Sequence, residues 1–187
     1  REALDHVNSS VNQLAQRVAD LLDLTRMEAG TRRYEMKRTD IAALARAVAD
    51  EYKPRAESKG LTLIFSDKSM HAIAHADSDT IRQVIAHVAD NAINYSDRGT
   101  ITLTVTAGQG TIRVSVQDQG LGIKPEDIGK LFIKFSRTEE ARKIHPSRIG
   151  IGLYLAKRIV EDHGGSICAE SAGIGKGSIF TLVLPCT

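Results

Sequence analysis

TITLTVTAGQGTIRVSVQDQGLGI, residues 100–123, is the stretch on which the fold turns. Thr100 to Val105 and Thr111 to Val116 each alternate polar and apolar side chains. A period of two is the pattern of a strand with one face on a core and the other in water. Between the two runs, Ala107-Gly108-Gln109-Gly110 is a hairpin signal. Asp118-Gln119-Gly120-Leu121-Gly122-Ile123 follows directly off the second strand, where a tight glycine turn is expected.

Outward from this hairpin, helices and strands interleave. On its N-terminal side, Asp40 reads as the N-cap of a helix through about Ser58, ended by Gly60. Arg33 to Arg38, Leu61 to Phe65 and Ala72 to Ala76 read as strands, and Asp79 to Asn94 as a second helix. On the C-terminal side, a helical stretch near Pro125 to Phe135 precedes Ser136 to Ile149, which is charged, irregular and interrupted by Pro146. That segment reads as a mobile loop. Ile151 to His163 is a helix closed by Gly164-Gly165, and the strands Ser166 to Glu170 and Ser178 to Leu184 flank the turn at Gly173 to Gly177. The expected fold is α+β, a two-layer sandwich of one mixed, mostly antiparallel sheet with helices on one face.

Residues 1–30 differ. Leu4, Val7, Val11, Leu14, Val18, Leu21 and Thr25 recur in steps of three and four, the a/d spacing of a coiled-coil seam. A lone helix cannot bury such a stripe, so packing in a bundle or dimer is expected, the alternative being an amphipathic helix packed on its own domain. The division is therefore a long coiled-coil-like helix over 1–30 and a domain over 31–187.

Composition excludes several functions. Of 187 residues, 42% are hydrophobic and 26% charged, with a net charge of +2 and no polybasic block. That is material for one core and no nucleic-acid footprint. Cys168 and Cys186 form no CxxC pair. No apolar run approaches the ~18 residues that span a bilayer. A cytoplasmic location is expected, compatible with a longer, membrane-anchored parent.

Three polar or glycine-rich islands interrupt the patterning. Asp118 with Gly120 and Gly122 offers a carboxylate to an exocyclic amine and a backbone that a flat ligand can approach. Gly150-Ile151-Gly152-Leu153 opens a helix, whose free N–H groups suit phosphate. It is no P-loop, since no GK[ST] follows. Asp90-Asn91 sits on the helix Asp79 to Asn94, and an amide oxygen there can serve Mg²⁺.

In their order, these islands resemble the boxes of the histidine kinase branch of the ATPase superfamily shared with gyrase and the heat-shock chaperone, whose fold is the Bergerat type. QVIAHVADNAINYS (83–96) resembles the N box, Asp118 to Ile123 the G1 box, LFIKFSR (131–137) the F box, GIGLYL (150–155) the G2 box, and Gly175 to Phe180 the last glycine box. LLDLTRMEAG (21–30) resembles the end of the second dimerisation-domain helix. The resemblance implies ATP and Mg²⁺ as cofactors and transfer of the γ-phosphoryl to a histidine of the dimerisation domain, then to an aspartate of a response regulator, within a homodimeric parent. It implies that Asn91 is the metal ligand and Asp118 the adenine reader, with Gly120, Gly122 and Ile123 beside the base. Tyr95 falls near base and ribose, and Phe135 in the F box. Gly150, Gly152, Leu153 and Ser178 fall on nucleotide-facing turns. Lys134 and Arg137 match basic residues near phosphates and acceptor, Ser136 to Ile149 matches a lid, and Asp90 matches an acid placed to help deprotonate the attacking imidazole.

The chain departs from the pattern in places. His87 stands where an asparagine is usual, Asn94 where a lysine commonly meets phosphate, and Tyr154 at the third G2 glycine. None of the six histidines, His6 on the heptad helix included, has the context expected of a phosphate acceptor. His163 reads as a helix-end residue favoured by the dipole. Two other functions fit the same boxes: a regulatory nucleotide-binding module without transfer, and a gyrase-type ATPase, which calls for a glutamate where this chain has Asp90.

Overall fold

The computed structural model describes Val11, Ala15, residues 18–146 and residues 148–187. Helix α1 covers 18–28. Then follow β1 (Lys37–Asp40), α2 (Ile41–Ser58), β2 (Leu61–Asp67), β3 (Ile73–Ala76), α3 (Ser78–Asn94), β4 (Gly99–Gly108) and β5 (Thr111–Gln117). The chain continues through α4 (Pro125–Ile128), α5 (Glu139–Ile144), α6 (Gly152–Asp162), β6 (Ser166–Glu170) and β7 (Ile179–Pro185). Among the described residues no helix is long and apolar enough to cross a membrane.

A five-stranded sheet runs in the order β2-β4-β5-β7-β6. Only β2 and β4 are parallel; the other neighbours are antiparallel. The alternation in 100–116 maps onto its two faces. Ile101, Leu103, Val105, Ile112, Val114 and Val116 are buried, while Thr100, Thr102, Thr104 and Ser115 are only half covered. Helices α2, α3 and α6 cover the apolar face. On the open face, Ser115 and Thr181 pair across β5 and β7 with their hydroxyls 3.2 Å apart. The mixed, mostly antiparallel sheet with helices on one face is as expected.

Both long helices begin on aspartate. Asp40 accepts from Ala43 N at 3.0 Å, and Asp77 accepts from Asp79 N and Thr80 N at 3.1 and 3.0 Å. These bonds satisfy N–H groups that a helix start leaves unpaired. Asp77 also accepts from Glu35 N at 2.8 Å, and together these donors outweigh its burial and hold its carboxyl below the ordinary range.

Three local expectations are corrected. The first strand is Lys37–Asp40, not Arg33 to Arg38, because Glu35 N is spent on the Asp77 carboxylate rather than on a ladder. That strand pairs with β3 in a separate two-stranded sheet, so there are two sheets and not one. The stretch from Pro125 to Phe135 is helical only to Ile128. Beyond it, Lys130, Leu131, Ile133 and Ser136 each donate to the carbonyl three residues back, which makes successive turns. His163 is buried and neutral: its Nε2 accepts from Asp77 N at 3.1 Å, so Nδ1 carries the proton toward Ile159 O, 2.6 Å away. His163 does stand at the C-cap of α6, as expected, but with both ring nitrogens engaged inside the fold.

Helix α1 docks on its own domain through one stripe. Leu24 is buried against Ile151 and Leu155, with Met27 and Tyr154 beside it. Asp23 receives Gln83 Nε2 at 3.0 Å, and Glu28 pairs with Lys134. Val11, Val18, Leu21 and Leu22 point away and are exposed. Leu4, Val7, Leu14 and His6 lie outside the described residues.

Candidate functional site

Helix α3 carries two stripes. Ile81, Val84, Ile85, Val88, Ala89 and Ala92 enter the core. Gln83, His87, Asp90, Asn91 and Asn94 recur at the same three-and-four spacing on another face. That second face lines a cavity of about 860 Å³. The opposite walls are the Asp118 turn, the segment after α4 and the start of α6.

At one end lies Asp118, 5% exposed. Its Oδ1 accepts from Gly120 N at 2.8 Å and Ser178 N at 3.2 Å, and its Oδ2 accepts from Ser178 Oγ at 2.5 Å. Burial pushes its pKa up, against the pull of those three donors. A carboxylate held this rigidly, with acceptor capacity left over, is a preorganised reader of an N–H group.

The glycines of this turn serve the protein before any ligand. A Cβ on Gly120 would lie 2.1 Å from Tyr95 O. Gly122 has φ +69°, and a Cβ there would lie 2.1 Å from Gly173 O. Leu121 N donates to Tyr95 O at 2.8 Å and Gly177 N to Gly120 O at 3.2 Å, so three loops are stitched by backbone alone. Close backbone–backbone approach is the immediate demand for glycine. Gly120→Ala is therefore expected to destabilise the fold by about 1–3 kcal/mol, the range of core overpacking. Urea denaturation checks this, and a midpoint within error of the parent would refute it.

At the other end stand cations and oxygen donors. The Asp90 carboxylate bridges two guanidiniums: Oδ1 to Arg55 of α2 and Oδ2 to Arg148. Arg148 Nη1 also donates to Asn91 Oδ1 at 3.1 Å. Burial would raise the Asp90 pKa, but the two arginines outweigh it and hold the carboxyl below its ordinary range.

The segment from Ser136 to Ile149 is more ordered than a mobile loop. It contains α5, capped by Thr138, whose Oγ1 accepts from Ala141 N at 3.1 Å. Arg137 donates to the carbonyls of Ala141, His145, Pro146 and Arg148 and so gathers the segment around itself. His145 stacks edge-on against Tyr95, and its Nε2 lies 3.1 Å from Asn94 O. The segment rests on the cavity as a cover.

Residues 76–187 match the histidine kinase-, DNA gyrase B- and HSP90-like ATPase family, which is more than half of the chain. The chain belongs to that family. The sensor protein SrrB of Staphylococcus aureus is 31% identical over 186 residues, 99% of this chain and 32% of SrrB. The chain thus spans about a third of the length of the curated relatives it matches. Full-length ShkA in complex with AMPPNP superposes with TM-score 0.81 at 28% identity, covering 95% of this chain and 36% of ShkA. The catalytic domain of the histidine kinase ThkA gives 0.71 at 27% identity, covering 81% of this chain and 95% of that domain. The histidine kinase AdeS of Acinetobacter baumannii gives 0.75 at 25% identity, covering 95% and 80%.

In this ATPase-family domain the fold brings most of the residues singled out by sequence to one cavity. Asp90, Asn91, Asn94, Tyr95, Asp118, Gly122, Ile123, Arg137, Gly150, Gly152, Leu153 and Ser178 all line it. Gly120, Lys134 and Phe135 do not. Gly120 is the stitch under Tyr95, Lys134 faces Glu28 and the Tyr154 ring, and Phe135 stands half-exposed at φ +62°. Arg55, Tyr52, Arg148 and His145 line the cavity and were missed. Arg55 lies 35 residues from Asp90 and carries no local signal, whereas Arg148 was legible only as one base in a charged segment. His87 sits under Gly152, where a Cβ would lie 3.3 Å from its Nδ1, and faces Asp20 of α1 at 3.6 Å.

Proposed function

We propose that this chain is the ATP-binding catalytic portion of a sensor histidine kinase, with α1 as the end of the second dimerisation helix (1–30) and 31–187 as the catalytic domain. One observation carries the reading: a single cavity has a rigid buried carboxylate at one end and an amide oxygen among guanidiniums at the other. That polarity matches a nucleotide with a neutral base carrying an exocyclic amine and an anionic tail. Asp118 accepts from the adenine amine. Arg148, carried by the cover, is a cation that a triphosphate engages, while Arg137, whose Nη groups go to four carbonyls of the cover, shapes it.

Mg²⁺ fits this site only when carried by the nucleotide. Among the described residues no group of three or more His, Cys, Asp or Glu could hold a metal, and Asn91 Oδ1 is the one family-matched ligand. A guanidinium already rests against that oxygen, so the position attracts positive charge. When bound, the ion would neutralise phosphate charge, and Asn91 would hold it once Arg148 turns away. Asp90, kept ionised by two arginines, is a poor proton acceptor; its work is to position Arg55 and Arg148. Catalysis is then positioning and charge neutralisation. The acceptor is a histidine of the dimerisation domain, the parent a homodimer, and a response-regulator aspartate the next carrier.

The test is radiolabelled ATP and Mg²⁺ with this chain and a supplied dimerisation domain of a sensor kinase. Acid-labile, alkali-stable label on the supplied domain is expected, and none on this chain alone. Steady phosphate release without histidine label would instead select the gyrase-type ATPase. Nucleotide binding with neither product would select a regulatory module.

A further inference from the structure

One cation at the polar end of the cavity is not on the cover. Arg55 projects from the last turns of α2 across to α3. Its Nη1 donates to Asp90 Oδ1, and its Nη2 donates to Asn94 Oδ1 at 3.1 Å. Asn94 is held in turn by its own Nδ2, which donates to Asp90 O at 2.5 Å. One residue past α2, Lys59 Nζ donates to Ile93 O at 2.8 Å and ties the same two helices a second time. Arg55 is thus set on rigid framework, with its side chain 43% exposed and facing the cavity.

Charge counting gives it a role. Asp90 carries one negative charge and meets two guanidiniums, Arg55 and Arg148, so the cluster keeps one positive charge in excess. Nearby, Arg82 is already matched by Glu51. Asn94, facing the same space, is neutral. Arg148 belongs to the cover and occupies Asn91 Oδ1, which it must leave before a metal can reach that oxygen. Arg55 donates to Asp90 and Asn94 and not to Asn91 Oδ1, so it need not move. A guanidinium with two N–H groups committed to fixed oxygens still has donors to present to phosphate.

We infer that Arg55 is the fixed polyphosphate-binding residue of this site, a specificity determinant for nucleoside triphosphate over nucleoside. The inference rests on the ATP reading above. It is tested on the whole chain by titration calorimetry with adenosine, ADP and Mg-ATP, comparing parent, Arg55→Gln, Arg55→Lys and the double variant Arg55→Gln/Asn94→Lys. Glutamine removes the charge and shortens the side chain while keeping an amide that can hydrogen-bond.

Arg55→Gln is expected to weaken Mg-ATP by about tenfold or more and to leave adenosine within about twofold. Arg55→Lys retains most of the affinity, and Asn94→Lys, which places a cation on the facing helix, recovers much of the loss. An equal loss for all three ligands together with a lowered Tm would make Arg55 a structural tie and overturn the inference. So would unchanged Mg-ATP affinity in Arg55→Gln. A parent that binds none of the three ligands would instead overturn the ATP reading itself.

Discussion

Asn91→Ala is expected to cut magnesium-dependent phosphoryl transfer by about 100- to 1,000-fold, the scale of a lost transition-state charge stabiliser. The substitution deletes the amide oxygen that Arg148 now occupies and that a nucleotide-borne metal would take. It leaves the Asp118 end untouched, so ADP binding without metal should remain within about twofold of the parent. Stability should change little, because the lost Arg148 bond is only partly buried and Arg148 keeps Asp90. The measurement is single-turnover transfer to a supplied dimerisation domain across a Mg²⁺ titration. A parental rate at saturating Mg²⁺ would show that the metal sits elsewhere.

Asp118→Asn is expected to weaken ATP by about tenfold to 150-fold, the worth of a hydrogen bond to a charged group. The parent's preference for ATP over GTP should shrink with it, because guanine presents an acceptor where adenine presents its amine. Stability should move the other way. Burial sets the Asp118 pKa above its unfolded value against the pull of Ser178 Oγ and the N–H groups of Gly120 and Ser178. The fold therefore disfavours the charged form more than the unfolded chain does. The protonated acid's contribution is fully present below the unfolded pKa of about 3.9 and is lost as pH rises through the folded pKa. At neutral pH the buried charge is a cost, and asparagine removes it while keeping an acceptor oxygen. Tm at pH 7 should not fall while affinity does. A large drop in Tm would make Asp118 a structural pin of the Ser178 loop, and equal ATP and GTP affinities in the parent would remove its role as adenine reader.

Much of this was legible because its causes are local. The two-residue alternation of Thr100 to Val116 is a statement about which side chains can face water, and the hairpin follows from it. Asp40 and Asp77 sit where helices need acceptors, although the start of α3 was read one residue late because Asp77 was not taken as its cap. The order of the polar islands predicted which residues share the cavity, since three of them sit at the ends or on one face of regular elements. Less legible were segments whose backbone partners are side chains from afar. Residues 33–36 look extended and alternate, yet Glu35 N goes to Asp77, 42 positions on. The segment from Ser136 reads as irregular because its organiser, Arg137, bonds carbonyls and not side chains.

By itself the sequence determined the main sheet, its covered face, the Asp40 cap and the choice of Asp118, Asp90 and Asn91 as the polar groups of interest. Each follows from sterics and from hydrogen bonds reaching only a few residues. Only the tertiary structure decided that Gly120 is small because Tyr95 O lies against it, and that His163 is neutral because Asp77 N points at it. It also decided that Asp90 is clamped between arginines 35 and 58 residues away. Such partners are chosen by where the chain returns in space, and the side chain that receives them carries no trace of the choice.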